Sequence, residues 1–282
     1  MPGILYVVAT PIGNLEDVTL RALRILREVS LVAAEDTRRT SKLLQHYSIS
    51  TPTTSLHAHN EHAKTPRLVA QLQSGQSIAL VSDAGTPAIS DPGARLVAAA
   101  HAVGIPVVAV PGASAVTAAV SVAGLSDPRF AFGGFPPDRS KARKEWFDWL
   151  GSQAVPVVFF EAPHRIERTL AAVGEMEPTR RLAIGRELTK THEEYAIRPI
   201  SEWLEAPPTA RGEFVLVLFP AEVGDRSTTT EPAPEELARE FGRITELAAT
   251  GRREAIREVA RKFGVRTRDV FEAIERHRDS IE

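Results

Sequence analysis

Short aliphatic runs alternate with segments of helical periodicity along the first half of the chain. The runs lie at residues 4–9, 31–34, 78–81 and 106–110, with a further strand near residue 52. Each run ends in turn residues, which is typical of strands buried inside a sheet. Apolar residues at three-to-four spacing predict helices over 16–29 and 94–102 between them. Alternating strands and helices predict a mostly parallel α/β domain.

The second half of the chain has further strand-like runs, followed by a change of character. The runs lie at residues 130–135, 155–160, 182–186, 195–200 and 212–219. They predict a second sheet that includes antiparallel members. Residues 221–234 have linker composition. The pattern beyond is purely helical, over 235–249, 253–263 and 268–276, and the tight turn at Gly264 predicts a helix–turn–helix-like pair.

The most informative segment is the loop Val81-Ser-Asp-Ala-Gly-Thr-Pro-Ala-Ile-Ser-Asp-Pro-Gly93. Its glycines, prolines and short polar residues force sharp turns after a strand, where ligands bind in α/β sheets. Gly85 would let the backbone approach a ligand closely, and Asp83 offers a carboxylate to hydroxyls or an amine. Asp91 is interpreted as a cap of the next helix. The alternative is that the whole loop only caps turns and that helix.

Polar or small residues also follow four other predicted strands. These segments are Glu35-Asp36-Thr37-Arg38-Arg39, Pro111-Gly-Ala-Ser114-Ala115, Glu161-Ala162-Pro-His-Arg165 and Arg186-Glu187-Leu-Thr-Lys190. Charges at strand ends indicate the mouth of a site, but each segment has a structural alternative. Asp36 could cap a helix, the small residues at 111–115 could serve tight packing, and Arg186, Glu187 and Lys190 could form a structural salt bridge.

Two further clusters suggest binding. His57, His59 and His62 lie within six residues, but their spacing fits no single helix face, so a polar rim or a solvated loop is favoured over a metal site. The segment Arg139-Ser-Lys141-Ala-Arg143-Lys144 carries four positive charges just before three aromatic residues. Cations near aromatics suit a nucleic-acid strand. The alternative is an amphipathic helix with aromatics in the core and solvated charges.

Composition excludes several classes of protein. The 282 residues include no cysteine, so disulfides and thiolate chemistry are excluded. The net charge of −2 gives no global positive field for nucleic acid, which must then bind through local patches. There is no apolar run of about 20 residues and no signal-peptide pattern at the start, so a cytoplasmic protein with no membrane contact is expected. Neither the Gly-x-Gly-x-x-Gly fingerprint nor a P-loop motif is present.

Seven segments in order carry a family resemblance. They are Tyr6-Val-Val-Ala-Thr-Pro-Ile-Gly-Asn-Leu15, Ala34-Glu-Asp-Thr-Arg38, His57-x-His-Asn60, the loop at 81–93, Pro111-Gly-Ala-Ser114, Phe160-Glu-Ala-Pro-His-Arg165 and Gly185-Arg-Glu-Leu-Thr-Lys190. Together they resemble the ribosomal small-subunit RNA methyltransferase I family of the tetrapyrrole-methylase-like, or class III, S-adenosylmethionine methyltransferases. Ala58 and Ala162 depart from the usual residues of that family, where an acidic residue and a Ser or Thr are common.

The resemblance implies a fold, a reaction and an assembly. The fold would be two α/β domains around a cofactor cleft with a small helical tail, divided as 1–113, 114–221, linker 222–234 and 235–282. The reaction would be 2′-O-methylation of a decoding-centre cytidine of 16S rRNA by S-adenosylmethionine. A homodimer acting on the small ribosomal subunit is also implied. A small-molecule methylase acting on a tetrapyrrole and a non-catalytic nucleic-acid regulator are the two alternatives.

The resemblance assigns the cofactor contacts, and the distribution of charged groups suggests residues for substrate activation and RNA binding. The cofactor is predicted to contact Pro11, Asp83, Gly85, Thr86, Ser114, Ala115, Glu161 and Ala162. Glu187, Lys190 and Asp36 are predicted to be catalytic, with Glu187 and Lys190 activating the substrate and Asp36 facing the RNA together with Arg38. The RNA is predicted to contact Arg38, Arg39, His57, His59, Asn60, Arg139, Lys141, Arg143, Lys144 and Arg165. No metal is predicted.

Overall fold

A parallel sheet forms the first half of the structure. The computed structural model describes residues 1–221, 234–248, 252–263 and 267–279. The first sheet has the order β3-β2-β4-β1-β5 and is parallel throughout. Its strands are β1 (Leu5–Val8), β2 (Leu31–Ala34), β3 (Thr53–Ser55), β4 (Ile78–Val81) and β5 (Val107–Val110). This confirms the predicted strands and their mostly parallel arrangement.

Helices cover both faces of this sheet. They are α1 (Leu20–Glu28), α2 (Thr37–His46), α3 (Glu61–Gln73) and α4 (Ala94–Ala102). Two separate apolar clusters lie on the two faces, one containing Ile25 and Val32, the other Leu72 and Leu96. Every residue of β4 is buried, which explains why this strand reads as an uninterrupted apolar run.

The predicted helix at 16–29 is wrong in its first turn. Residues Leu15–Asp17 form a short 3-10 helix, and α1 begins only at Leu20. The Thr19 hydroxyl accepts a hydrogen bond from the Ala22 amide at 3.0 Å, which caps α1 and separates the two helices.

The second sheet is mixed, with the order β6-β7-β10-β8-β9. Its strands are β6 (Ala131–Phe132), β7 (Val157–Glu161), β8 (Arg181–Arg186), β9 (Glu194–Pro199) and β10 (Phe214–Leu218). β6 and β7 are parallel, and the other neighbours are antiparallel, as predicted. The helices of this half are α5 (Ala115–Val122), α6 (Ser140–Ser152), α7 (Ile166–Gly174) and α8 (Ile200–Glu205).

Helix α5 connects the two halves. It follows β5 of the first sheet, but Val116 and Ala119 pack in one apolar cluster with Val158, Val215 and Val217 of the second sheet. Residues Met1–Ala221 form one compact unit that contains both sheets. The division of this unit at residues 113 and 114 therefore stays a prediction.

The remaining helices form a second unit within Glu222–Glu282. They are α9 (Pro234–Ala248), α10 (Arg252–Phe263) and α11 (Thr267–Asp279). Leu237, Ile244, Val259 and Val270 belong to its core. The predicted linker, apart from Pro234, and the turn at Gly264 lie outside the described residues. Within the described residues, no helix is long and apolar enough to cross a membrane.

Candidate active site

A mostly apolar cavity of about 350 Å³ lies in the first unit, lined by loops from both halves. This volume is in the range of small-molecule sites. The first half contributes Ile12, Ala84, Gly85, Thr86, Ile89, Ser90 and Asp91. The remaining lining residues are Ser114, Ala115, Val116, Phe135, Phe160, Glu161, Ala162, Pro163, Leu188, Glu213, Phe214 and Val215. Six of the eight residues predicted to contact the cofactor are among them: Gly85, Thr86, Ser114, Ala115, Glu161 and Ala162.

The loop after β4 is held in place by the loop after β1. Thr10 and Gly85 exchange two backbone hydrogen bonds, at 2.9 and 3.0 Å. Gly85 has a φ of +79°, and a Cβ there would lie 3.3 Å from the Ile12 side chain. A glycine is therefore required for this turn to form one wall of the cavity. Pro11 is buried and is not among the residues that line the cavity, so the cavity gives its predicted contact with the cofactor no support.

Asp83 does not line the cavity either, so the cavity gives its predicted contact with the cofactor no support. Its Oδ1 accepts a hydrogen bond from the Asp36 amide at 2.9 Å, and its Oδ2 lies 3.5 Å from Arg39 Nε. These bonds tie the end of β4 to the start of α2. In this structure the carboxylate stabilises the neighbouring loop.

Asp36 caps helix α2, as the structural alternative from the sequence proposed. Its Oδ1 accepts the Arg38 amide at 2.9 Å, and its Oδ2 lies 2.7 Å from Arg38 Nη2. The hydrogen bond from Arg38 lowers the pKa of Asp36 to about 2, so its carboxylate is a poor proton acceptor near neutral pH. It lies outside the cavity lining.

Asp91 is the cavity residue that sequence reasoning missed. It lines the cavity, and burial raises its pKa to about 6, with the carboxylate of Glu35 adding to the shift. The predicted capping role is wrong, because Glu61 supplies the cap. Glu61 Oε1 accepts hydrogen bonds from the amides of Gly93 and Arg95, at 3.1 and 2.9 Å. A carboxylate with a raised pKa in a cavity is characteristic of a functional group.

Glu161 is a fully buried carboxylate at the end of β7. Its Oε1 accepts the Ala162 amide at 2.8 Å and pairs with Arg165 Nε at 3.1 Å. Its Oε2 accepts a hydrogen bond from the Thr169 hydroxyl, which in turn accepts one from Arg143 Nη2 at 2.8 Å. Burial is therefore compensated by a connected polar network behind the cavity wall.

Two predicted RNA contacts belong to this network instead. Arg143 is only 5% exposed, and desolvation lowers the pKa of its guanidinium from the usual value. Arg165 pairs with Glu161 and with Asp138, and it donates a hydrogen bond to the Pro136 carbonyl. The guanidinium of Arg143 is thus unavailable to RNA, and that of Arg165 is engaged by protein groups. Arg139, Lys141 and Lys144 are exposed, as an RNA contact requires.

Replacing Thr169 with valine tests the importance of this network. Valine keeps the shape but removes the hydroxyl that joins Glu161 to Arg143, so buried polar groups lose a partner. We expect the free energy of unfolding to fall by about 1–3 kcal/mol. Thermal unfolding followed by circular dichroism would measure this. Thr117→Val, on an exposed turn of α5, is the matched control. Equal melting temperatures for both variants would contradict the prediction.

Lys190, Glu187 and Glu213 form an ion cluster at the edge of the cavity. Lys190 Nζ lies 2.8 Å from Glu187 Oε1 and 3.0 Å from Glu213 Oε2, and Glu213 lines the cavity. Desolvation works against the charge of Lys190, but the hydrogen bonds to both glutamates outweigh it and raise its pKa. The hydrogen bond from Lys190 lowers the pKa of Glu187. At neutral pH the cluster therefore presents an ammonium group and no neutral amine.

An unusual backbone places this cluster beside the first half. Glu187 and Thr189 have φ values of +52° and +67°, and the Thr189 hydroxyl accepts a hydrogen bond from the Asn14 amide at 3.0 Å. Left-handed backbone at such residues is costly and is concentrated at functional sites. The salt bridge predicted as an alternative exists between Glu187 and Lys190, whereas Arg186 pairs with Glu194.

The histidine segment lies at the end of β3. Asn60 Oδ1 accepts the His57 amide at 2.9 Å, and the His57 ring lies 6.0 Å from the His59 ring. His57 Nδ1 is buried without a hydrogen-bond partner. Among the described residues, no group of histidine and carboxylate side chains could hold a metal ion. These residues and the exposed Arg38 and Arg39 lie outside the cavity lining.

Comparison with known proteins shows the family of this chain. Residues 4–204 match the family Tetrapyrrole (Corrin/Porphyrin) Methylases. A Synechocystis protein named Ribosomal RNA small subunit methyltransferase I is 43% identical over 275 residues, 96% of each chain. A Neisseria meningitidis protein of that name is 49% identical over 224 residues, 78% of this chain and 77% of the relative. The chain belongs to the ribosomal RNA small subunit methyltransferase I family.

Solved structures of more distant proteins share the fold. A diphthine synthase superposes with a TM-score of 0.62 at 17% identity, covering 77% of this chain and 90% of that one. A Thermus thermophilus uroporphyrin-III C-methyltransferase complexed with S-adenyl homocysteine gives 0.57 at 17% identity, covering 77% and 97%. These likenesses show the fold alone and confirm the predicted class III architecture.

Proposed function

We propose that this chain transfers a methyl group from S-adenosylmethionine to the ribose 2′-oxygen of a decoding-centre cytidine in 16S rRNA. The observation that carries the proposal is the cavity, which is lined by the loops that contain the family's motifs. Lys190, whose pKa is raised, lies at its edge and stays cationic. The names of relatives at 43–49% identity support RNA as the substrate. The exposed cations Arg139, Lys141 and Lys144 supply a local patch for phosphates.

The cavity lining fits the cofactor. Apolar residues such as Ile12, Val116 and Leu188 suit a flat purine, and the backbone at Gly85 is open to close approach. Asp91 supplies a carboxylate for ribose hydroxyls or for a cationic group. Predicted cofactor contacts at Gly85, Thr86, Ser114, Ala115, Glu161 and Ala162 are retained in the proposal, and Asp91 replaces Asp83 and Pro11.

Positioning and charge explain how these residues would promote the reaction. The cofactor supplies the activated methyl group, so the protein must hold the ribose oxygen in line with it, and such positioning can contribute roughly 7–11 kcal/mol. Lys190 would provide a cation that stabilises the ribose oxygen while the hydroxyl proton passes to solvent water. Glu187 and Glu213 orient that cation through hydrogen bonds. The pKa values of Glu187 and Asp36 are both lowered, so neither carboxylate is a good proton acceptor.

The RNA surface and the assembly belong to the same proposal. Arg38, Arg39, His57, His59 and Asn60 follow strands β2 and β3 at their carboxyl ends, and we retain them as RNA contacts. A homodimer would give a nearly neutral chain two copies of its basic patch. Light scattering at several protein concentrations would test the dimer, and a monomer throughout would contradict it. A cytoplasmic location accords with a ribosomal substrate.

The direct test is methyl transfer to small ribosomal subunits from cells that lack this modification. Labelled S-adenosylmethionine would report transfer, and ribose-methylation-dependent primer extension would locate the product. A stop at one decoding-centre cytidine, absent when Asp91 is replaced, is the expected result. Cofactor binding without any label in RNA would contradict the substrate assignment and direct the search to small-molecule acceptors.

A further inference from the structure

Two large apolar side chains on the rim of the cavity are exposed. Phe135 is 49% exposed and Ile89 is 45% exposed, although both line the cavity. Exposed apolar side chains grouped at a binding cavity, unlike single ones elsewhere on a surface, indicate a place where a ligand or partner makes contact. The two residues come from opposite halves of the first unit, one from the loop after β4 and the other from the loop after β6.

Left-handed backbone flanks both exposed side chains. Ile89 lies between Ala88 and Ser90, whose φ values of +65° and +66° are left-handed and costly for residues with a Cβ. Gly134, just before Phe135, has a φ of +64°, and a Cβ there would lie 3.6 Å from Ser90 Oγ. The two loops therefore approach each other closely at the rim, next to their exposed apolar residues.

Phe135 is also supported from behind. Its ring centroid lies 5.3 Å from that of Phe160, which lies 5.2 Å from Phe132. Arg165 holds the segment that follows, by donating to the Pro136 carbonyl and pairing with Asp138 at 2.6 Å. The ring is thus held in place before any ligand arrives, which lowers the entropy lost on binding.

Positively charged residues follow Phe135 along the chain. Helix α6 begins at Ser140, and Arg139, Lys141 and Lys144 at its start are exposed. Single-stranded RNA is recognised by cations that bind its phosphates together with aromatic rings on which unstacked bases lie. The segment from Phe135 to Lys144 combines both features.

We propose that Phe135 is the platform on which the target base stacks, with Ile89 as the opposing wall, while the phosphates lie along the start of α6. This rests on the proposed function and adds a specificity element to it. Stacking on Phe135 would keep the target base unstacked from the adjacent bases of the RNA and would place its ribose at the cavity. Phe135 would position the substrate and take no part in the bond changes.

Steady-state methylation of unmodified small subunits by the full chain tests this. Phe135→Ala is expected to lower kcat/KM for the subunits by about 5- to 150-fold, the range for loss of one base–aromatic stack. The Kd of S-adenosylmethionine, measured by calorimetry, should stay within about twofold of wild type because the lost contact is to the base. Phe135→Trp should retain the activity, and Phe135→Leu should lose most of it.

Phe130→Ala is the matched control. Phe130 is 38% exposed on the preceding segment but does not line the cavity, so its loss should leave kcat/KM unchanged. Unchanged kcat/KM in Phe135→Ala would overturn the proposal. A weaker cofactor Kd that accounts for the whole effect would also overturn it, by assigning Phe135 to the cofactor. Absence of methyl transfer by the wild-type protein would instead contradict the proposed function.

Discussion

Replacing Lys190 with alanine is expected to lower kcat by about 10²–10⁴-fold, the usual contribution of a group that assists proton loss. The Kd for S-adenosylmethionine should remain within about twofold, because Lys190 is absent from the cavity lining. The physical reason is the loss of a cation that the two glutamates keep protonated. Single-turnover methylation of small subunits and calorimetric titration of the cofactor would measure the two quantities separately.

Two further variants separate activation from structure. Lys190→Arg keeps the charge and should recover part of the turnover. Lys42→Ala removes an exposed lysine of α2 that lies outside the cavity lining and should have no effect. If Lys190→Ala retains full turnover, the activating role is wrong. If turnover, cofactor affinity and melting temperature all fall together, the cluster is a structural salt bridge.

Replacing Asp91 with asparagine is expected to weaken cofactor binding while making the cofactor-free protein more stable. Loss of a charged hydrogen-bond partner should raise the Kd by roughly 10- to 100-fold. In the folded protein the pKa of Asp91 is about 6, above the usual 3.8 for aspartate. The folded state therefore binds this proton more tightly than the unfolded state, and its stability falls as pH rises from about 4 to 6.

The changes in stability and in cofactor affinity should both depend on pH. Above pH 6 the wild-type carboxylate is charged, and Asp91→Asn should be more stable by about 1 kcal/mol after allowance for solvent screening. Below pH 4 that advantage should disappear. Cofactor affinity of the wild type should fall as pH drops below 6, whereas that of Asp91→Asn should change little. Calorimetry and thermal unfolding at pH 5 and pH 8 would test this.

Each outcome assigns Asp91 a role. Normal cofactor affinity with lost turnover would identify the carboxylate as a proton acceptor instead of a cofactor ligand. Lower stability of Asp91→Asn at pH 8 would contradict the raised pKa. Asp83→Asn is the informative comparison, because Asp83 lies outside the cavity and is bonded to Asp36 and Arg39. We expect that variant to change stability more than cofactor affinity.

The sequence by itself determined the elements and the location of the site. Strand–helix alternation depends on local periodicity, and it predicted both sheets and the antiparallel character of the second. The Gly- and Pro-rich loop at 81–93 could be identified as a ligand loop because turn chemistry is also local. Family motifs then indicated most of the cavity wall, including Gly85, Ser114 and Glu161.

The burial of Arg143 in helix α6 is already indicated by the spacing of residues along that helix. Arg143, Phe147 and Leu150 are spaced so that they share one helix face, and all three are buried. The amphipathic alternative for this segment therefore holds for the core aromatic Phe147 and for the exposed Arg139, Lys141 and Lys144. It does not hold for Arg143, whose charge is buried and not solvated. A count of positive charges could not distinguish the two groups.

Only the tertiary structure decided which charged groups face the cavity. Asp83 and Asp91 lie in one loop with similar neighbours, but Asp83 is bonded to the Asp36 amide, 47 residues away. Glu61, 32 residues from Gly93, caps α4, so Asp91 is not needed as the cap, and Asp91 lines the cavity. Partners so distant in sequence leave no local pattern, because they meet only when the sheet brings the strand ends together. The role of a carboxylate was thus fixed by long-range contacts.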